Sequence, residues 1–496
     1  MKVLLLDLGD NRKENNEPIS LGCLAANINN ANVIVDIEWY NMEYNVANVI
    51  NYDIIGISMN IGTLPVFDKI YSHFLPQQII IVGGTIPTFG YSQLLDKYEN
   101  IYCCIGEGEE TFSQLLDVVI TDKTLRTKDN IPNIAYKTNG KLHITDRKPF
   151  NINLANKVFR KKEIIDFIKE TNGIVRIEAS RGCSWRKCTF CCVNSKYADP
   201  KWRPFPIDKI TNELIELSDM GVTSPYFTDE DFFGGNPNRV KELAESILEL
   251  KNKKLINPQM DFFISAMAND ITCKKGEEAI IAFKKAGLRE VFIGIESMEK
   301  GQLKRYNKLA KTDQNAKVIK FLKNNELQID MGFILFDPNL AFQGLINSIE
   351  YIDNLSLSKT DSRSIKRLRI QPCTKMGDDF NISSDKDLDL NNLEYPYEFT
   401  DQKVSEVYKK YKKWEEEYMN KIWKYQALTR GENVSNRLSL KRQLGAIRDI
   451  DFIELKNITE LIRGNICQNE YDSREAQLRK DKKSAMDIFE DMLRKS

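Results

Sequence analysis

From Val3 to about residue 120, apolar runs alternate with amphipathic stretches. Val3 to Leu8, Val33 to Ile37, Ile54 to Met59, Ile79 to Val82 and Ile101 to Ile105 are short and rich in Ile, Val and Leu, the pattern of strands buried on both faces. The segments between them, Val66 to Phe74 among them, have helical periodicity, so a parallel sheet with crossover helices is predicted. Glycines fall where those strands should end: Gly9, Gly62, Gly83 with Gly84, and Gly106 with Gly108. In open α/β sheets the ligand crevice lies at the carboxyl ends of the strands.

Residues 121–170 are polar and mixed, with Asn139-Gly140 between Asn133 to Thr138 and Lys141 to Thr145, a hairpin signal inside what reads as a connector. A second series of strands follows at Ile174 to Ala179, Ser224 to Thr228, Asp261 to Ala266, Glu290 to Ile295, Ile329 to Phe336 and Ile365 to Ile370. Helical stretches lie between them, and two, Ile207 to Met220 and Glu277 to Ala286, are closed by Gly221 and Gly287. Strand and helix in strict alternation predict a partial βα barrel. Beyond about residue 385 long helical patterns rich in Lys, Glu and aromatics take over, with Tyr408, Tyr411, Trp414, Tyr418 and Tyr425 at helical spacing. Such a stripe is a packed face or a substrate grip at the barrel mouth.

The predicted fold is therefore α/β: a Rossmann-like parallel sheet over 1–125, a connector over 126–170, a central (β/α)6 partial barrel over 171–385 and a C-terminal helical domain over 386–496. The 496 residues agree, since ~150 per domain predicts about three. Lys plus Arg at 71 balances Asp plus Glu at 71 without long blocks of either sign, so neither nucleic acid nor a membrane is expected as a partner. The opening MKVLLLDLGD suits a buried strand better than a signal peptide or membrane span, and a cytoplasmic location is expected.

Ten cysteines are too sparse for a disulfide framework, yet Cys183, Cys188 and Cys191 bunch in Arg181-Gly182-Cys183-Ser184-Trp185-Arg186-Lys187-Cys188-Thr189-Phe190-Cys191. This loop follows the first barrel strand, at the end where βα barrels keep their active sites. Three thiolates are soft ligands for an iron–sulfur cluster that leaves one iron open. Structural zinc needs a fourth ligand; His73 and His143 are remote in sequence and Cys192 is adjacent, which leaves Cys273 or Cys373. Cys23, Cys103 and Cys104 lie in or beside apolar segments and read as core thiols.

The cysteine loop resembles that of radical S-adenosylmethionine (SAM) enzymes, whose three cysteines follow the first barrel strand with an aromatic before the last. Four residues separate Cys183 from Cys188, where the branch that carries an N-terminal cobalamin-binding domain usually has three. Phe227-Thr228-Asp229-Glu230-Asp231-Phe232, Gly294-Ile295-Glu296-Ser297 and Met331-Gly332-Phe333-Ile334 resemble the family's second, fourth and fifth strand ends in order and spacing. The resemblance spans residues 1 to 385, because Val82-Gly83-Gly84-Thr85-Ile86-Pro87 and Gly106-Glu107-Gly108-Glu109-Glu110-Thr111 resemble the strand ends of the cobalamin-binding domain.

The resemblance implies a [4Fe–4S] cluster on Cys183, Cys188 and Cys191, with SAM chelating the open iron and, after one-electron reduction, yielding a 5'-deoxyadenosyl radical that removes a hydrogen from an unactivated carbon. It implies Asp229 or Glu230 for the methionine ammonium, Glu296 or Ser297 for the ribose hydroxyls, and Gly332 beside SAM; ordinary solvation or helix capping is the competing reading of the acidic residues. It implies cobalamin at Gly83, Gly84, Gly106 and Gly108. The branch's DxHxxG loop, whose histidine binds cobalt from below, reads Asp7-Leu8-Gly9-Asp10-Asn11-Arg12 here, so cobalamin would bind without a histidine from the protein. Arg181 and Gly182 read as structural.

The run Cys191-Cys192-Val193-Asn194 with Trp202-Arg203-Pro204 is similar to radical SAM enzymes that C-methylate peptides. The expected function is accordingly a cobalamin-dependent radical SAM enzyme, a C-methyltransferase acting on a peptide or other natural-product intermediate, with an electron donor such as flavodoxin or ferredoxin. A cyclase, oxidase or rearranging enzyme without methyl transfer, and a non-catalytic corrinoid- or metal-binding module, are the alternatives.

Overall fold

The computed structural model describes residues 1–9, 15–28, 30–121, 128–360, 366–379, 387–432 and 436–495. They pack as two compact units: Met1–Thr171 with Val175–Met220 and Arg369–Pro396, and Asn172–Ile174 with Gly221–Leu368 and Tyr397–Ser496. These divisions differ from the boundaries expected at 125, 170 and 385, because the chain leaves the first unit at Gly221 and returns to it at Arg369.

The first unit is built on seven strands: β1 (Lys2–Asp7), β2 (Ile34–Trp39), β3 (Ile54–Ser58), β4 (Ile79–Gly83), β5 (Ile101–Cys104), β6 (Ile134–Thr138) and β7 (Lys141–Ile144), in the order β2-β1-β3-β4-β5-β6-β7. The five expected strands are present within one or two residues at each end, and they run parallel. Their apolar character follows from burial on both faces: Val3 to Leu6 of β1 and Ile54 and Ile55 of β3 are fully enclosed. The hairpin, expected as part of a connector, instead extends this sheet, because β6 pairs antiparallel with β5 through Tyr102↔Tyr136 and Cys104↔Ile134. Its Asn139 and Gly140 both take the positive φ that a tight turn demands.

Past Thr171 the expected strand from Ile174 to Ala179 contracts to β8 (Arg176–Ile177). The chain then forms β9 (Ser180–Arg181), which pairs antiparallel with β10 (Arg203–Pro204), so the cysteine loop is carried between two paired strands.

In the second unit β11 (Tyr226–Phe227), β12 (Phe262–Met267), β13 (Leu288–Glu296) and β14 (Gln328–Phe333) run parallel in that order. Between and after them come the helices Pro237–Asn252, Lys274–Ala286, Thr312–Asn324 and Phe342–Asn354. Lys274–Ala286 ends at Gly287 with φ 118°, a left-handed stop. The expected last strand, Ile365 to Ile370, is reduced among the described residues to isolated bridges, Phe336↔Arg367 and Ile370↔Tyr395; Ile365 itself lies outside them.

The C-terminal helices Gln402–Glu416, Met419–Leu428, Arg437–Arg463 and Gln468–Arg494 do not stand apart as a domain over 386–496. They are bound to the amino-terminal ends of the barrel strands by buried charge. Arg430 reaches Asp330 at 2.7 Å and Glu290 at 3.4 Å, and Lys441 also bonds Glu290. Glu432 accepts from the Thr223 and Ser224 amides at 2.7 and 2.9 Å, and Arg437 bonds Asp261 at 2.9 Å. Charges enclosed this way persist only when paired, so these contacts specify one docking. The aromatic stripe is a packed face: Tyr408 lies 5.2 Å from the Phe336 ring, Tyr425 stacks on Phe489 at 4.1 Å, and Trp414 donates to Asp451 at 2.8 Å. Among the described residues no helix is long and apolar enough to cross a membrane.

Candidate cofactor sites

The cysteine loop leaves β9 through Gly182, whose φ of +84° and whose distance of 2.4 Å from an added Cβ to the Lys201 carbonyl leave no place for a side chain. The Cys183 amide donates to the Pro200 carbonyl at 3.2 Å, and the Cys191 amide to Cys188 at 3.3 Å. The returning segment covers the loop from outside. The Met376 amide donates to the Thr189 carbonyl at 2.9 Å, and the Ser195 hydroxyl to the Cys373 carbonyl at 2.6 Å.

Cys183, Cys188, Cys191 and Cys192 are all half-buried. Burial pushes the Cys191 thiol up to about 12; the Val193 amide opposes this, while Cys192, Cys188 and Cys183 add to it, so the four sulfurs lie within electrostatic reach of one another. Among the described residues no three His, Cys, Asp or Glu side chains are drawn together at metal-ligating distance. The donor chemistry nonetheless fits an iron–sulfur cluster: several soft thiols on one loop, whose mutual repulsion on ionising a polycationic metal core would relieve. His73 bonds its own helix at the Lys69 carbonyl and His143 stacks on Tyr136 at 5.0 Å, so both have local roles as expected.

The first sheet carries a second site. A partly open cavity of about 290 Å³ lies at the carboxyl ends of β1, β3, β4 and β5, where it is lined by Asp7, Ser58, Gly83 and Cys104. All four predicted glycines, Gly83, Gly84, Gly106 and Gly108, line it too. Gly84 has φ +105° and an added Cβ would stand 2.5 Å from the Met59 carbonyl; at Gly83 the nearest atom would be 3.7 Å away, so only the cavity space argues against a side chain there. Thr88 ties the two glycine loops together, its hydroxyl donating to the Gly84 carbonyl at 2.7 Å and accepting from the Gly106 amide at 2.9 Å. Cys104 and Cys23, expected in the core, face this cavity, and burial pushes the Cys104 thiol up to about 12. Gly9, which stands where the DxHxxG histidine would, has φ +72°, and the Asn41 amide occupies the space of its Cβ at 2.0 Å. Asp10, Asn11 and Arg12 of that loop lie outside the described residues.

The acidic side of the cavity was not legible as a site. Glu107, Glu109 and Glu178 line it with Arg181, whose guanidinium bonds them at 3.0, 2.7 and 2.9 Å. Burial pushes the Glu109 carboxyl up, but Arg181 outweighs it and holds the group below its usual range. Arg181, two residues before the first cysteine, is thus paired with three carboxylates. The overlooked signal was Glu107 and Glu109, each directly after a glycine of the Gly106 to Glu109 loop.

In the second unit Asp229, Glu230, Glu296, Ser297 and Gly332 gather at the carboxyl ends of β11, β13 and β14. Asp229 is buried and close enough to Arg239 to offset part of what burial does to that guanidinium. Glu296 has φ +61° and bonds Lys308 at 3.2 Å, beside Gly332. Ser297 is enclosed, donating to Gln302 at 2.6 Å and accepting from the Glu299 amide at 2.9 Å, so its hydroxyl is consumed inside its own loop. Sequence reasoning missed Asp270, just past β12, which burial and then Asp231 push up to about 7. Its Oδ2 is buried and has no hydrogen-bond partner among the described residues.

The profile of the Radical SAM superfamily matches residues 177–347. That segment is similar to the superfamily's domain, and the fold of the chain resembles that of a solved cobalamin-dependent radical SAM enzyme. It is 29% identical over 342 residues to 4'-phospho-dehydrooxetanocin synthase of Priestia megaterium, covering 62% of this chain and 43% of that protein. With hopanoid C-3 methylase of Methylococcus capsulatus it shares 24% over 277 residues, covering 53% and 48%. The matches therefore span less than half the length of these curated relatives. The solved structure of the cobalamin-dependent SAM radical enzyme OxsB with aqua-cobalamin superimposes with a TM-score of 0.79 at 20% identity, over 92% of this chain and 73% of that one.

Proposed function

We propose that this protein is a cobalamin-dependent radical SAM enzyme that methylates an unactivated carbon of a peptide or other natural-product intermediate. The observation that carries the reading is the cavity at the strand ends of the first sheet, roofed by Arg176, Glu178, Arg181, Lys196 and Tyr197, which bracket the cysteine loop. Cofactor cavity and cysteine loop are built side by side in one unit. When bound, the reduced cluster with SAM supplies one-electron chemistry able to abstract hydrogen from unactivated carbon, and cobalamin supplies a methyl carrier.

Cys183, Cys188 and Cys191 are the proposed cluster ligands; Asp229 or Glu230 orients the SAM ammonium, and Glu296, beside Gly332, takes the ribose hydroxyls. Gly83, Gly84, Gly106 and Gly108 let backbone approach cobalamin. With Gly9 in the histidine's place and Asn41 packed over it, the protein holds cobalamin without a histidine ligand. A flavodoxin- or ferredoxin-type donor supplies the electrons.

A second reading is cyclisation, oxidation or rearrangement without methyl transfer, because one relative is named a synthase and not a methylase. The experiment is anaerobic reconstitution with iron, sulfide and hydroxocobalamin, desalting, then SAM and reductant. Retained cobalamin together with 5'-deoxyadenosine and S-adenosylhomocysteine supports methyl transfer, and the product gains about 14 Da; deoxyadenosine with a product lighter by about 2 Da supports the second reading. Cys188→Ala abolishes cluster incorporation and SAM cleavage; a variant that keeps both sinks the assignment.

A further inference from the structure

Both flanks of the cysteine loop are fastened to one short loop of the first sheet. On the entering side, Arg181 bonds Glu107 at 3.0 Å and Glu109 at 2.7 Å. On the leaving side, Arg203 of β10 bonds the same Glu107 oxygen at 3.0 Å, and the Lys196 carbonyl lies against Gly106, 2.8 Å from where a Cβ would be. Arg147 closes the clamp, donating to the Ser195 and Lys196 carbonyls at 2.8 Å each. Glu107 is the node: one carboxylate oxygen serves two guanidiniums and the other accepts from the Phe150 amide at 3.2 Å. Glu107, Glu109 and Arg181 are all buried, and enclosed charges tolerate no loosening of their partners. The same loop, from Gly106 to Glu109, is also cavity wall, and Arg181 lines the cavity beside it.

We infer that the Gly106 to Glu109 loop couples the two cofactor sites, with Glu107 as the positioning residue: a ligand in the cavity sets the geometry in which the cysteine loop takes its metal, and a filled cysteine loop tightens the cavity. The inference rests on the reading of the cavity as a cobalamin site. Linkage makes the effect reciprocal, so it can be read from binding alone.

The probe is hydroxocobalamin, titrated by absorbance and ultrafiltration into the full chain with and without its reconstituted cluster. The cluster-loaded wild type binds about 5-fold or more tightly than the cluster-free form, the lower end of ordinary coupling between sites. Glu107→Gln, which keeps the shape but removes the charge both arginines share, reduces that ratio to below about 2-fold while iron content and circular dichroism stay as in the wild type. Should Glu107→Gln lose its fold, Arg203→Met, on the partly exposed side of the clamp, is read in the same way. Equal affinities in the two wild-type forms, or an undiminished ratio in the variant, overturn the inference and leave the cobalamin reading standing. Absence of cobalamin binding in both forms removes that reading and the inference with it.

Discussion

Lys482 is fully enclosed among the C-terminal helices, 2.5 Å from Asp451 and within 5 Å of the Trp414 and Tyr418 rings. Asp451 is itself buried, its Oδ1 held by this lysine and by the Trp414 indole N–H at 2.8 Å. Replacing Lys482 by Met keeps most of the volume but removes the cation that Asp451 bonds, leaving a buried carboxylate that still accepts from the Trp414 indole N–H. Breaking a buried pair from one side costs about 3–5 kcal/mol. For a unit of this size 1 kcal/mol corresponds to about 2–4 °C, so Lys482→Met should melt roughly 6–20 °C below the wild type. Calorimetry or thermal circular dichroism measures it. Lys482→Met with Asp451→Leu should recover most of the loss, because both charges are gone and the site repacks. A single variant within about 2 °C of the wild type, or a double variant no better than the single one, refutes the reasoning that the tail is held by enclosed charge.

Asp270 titrates near 7 when folded, above its unfolded value, so its favourable contribution is complete at low pH and lost as pH rises through 7. Asp270→Asn should therefore be more stable than the wild type at pH 8.5, by up to about 4 kcal/mol, with the gap narrowing steadily towards pH 5.5; a pH-independent gap would contradict the assignment. Ser297→Ala should lower stability by about 1–3 kcal/mol with SAM affinity within about twofold of the wild type, whereas Glu296→Gln should weaken SAM binding about tenfold; equilibrium dialysis with SAM separates the two. Gly84→Ala, strained at φ +105° against the Met59 carbonyl, should lose cobalamin retention after desalting, and retention equal to the wild type would deny that this turn shapes the cavity.

The five parallel strands, their glycine ends and the three-cysteine loop were all legible in the chain because each is encoded over a short span. Burial on both faces makes Val3 to Leu6 uniformly apolar, and a left-handed turn against a carbonyl admits little except glycine at positions 84 and 182. The hairpin turn at Asn139-Gly140 was legible as well; that its strands would join β5 was not, because the pattern of a hairpin does not name its neighbour.

What the tertiary structure alone decided is which charges meet. Glu107 and Arg181 are 74 residues apart, and neither segment names the other as its partner until the fold encloses them together. Arg430 and Lys441 read as part of a helical tail, yet both end on Glu290 of β13. Asp270 acquires its raised affinity for a proton from burial and from Asp231, a residue on another strand's loop. Periodicity and turn chemistry act over a few residues, so they can be read along the chain. Desolvation and ion pairing depend on distances in space, and only the folded molecule supplies those.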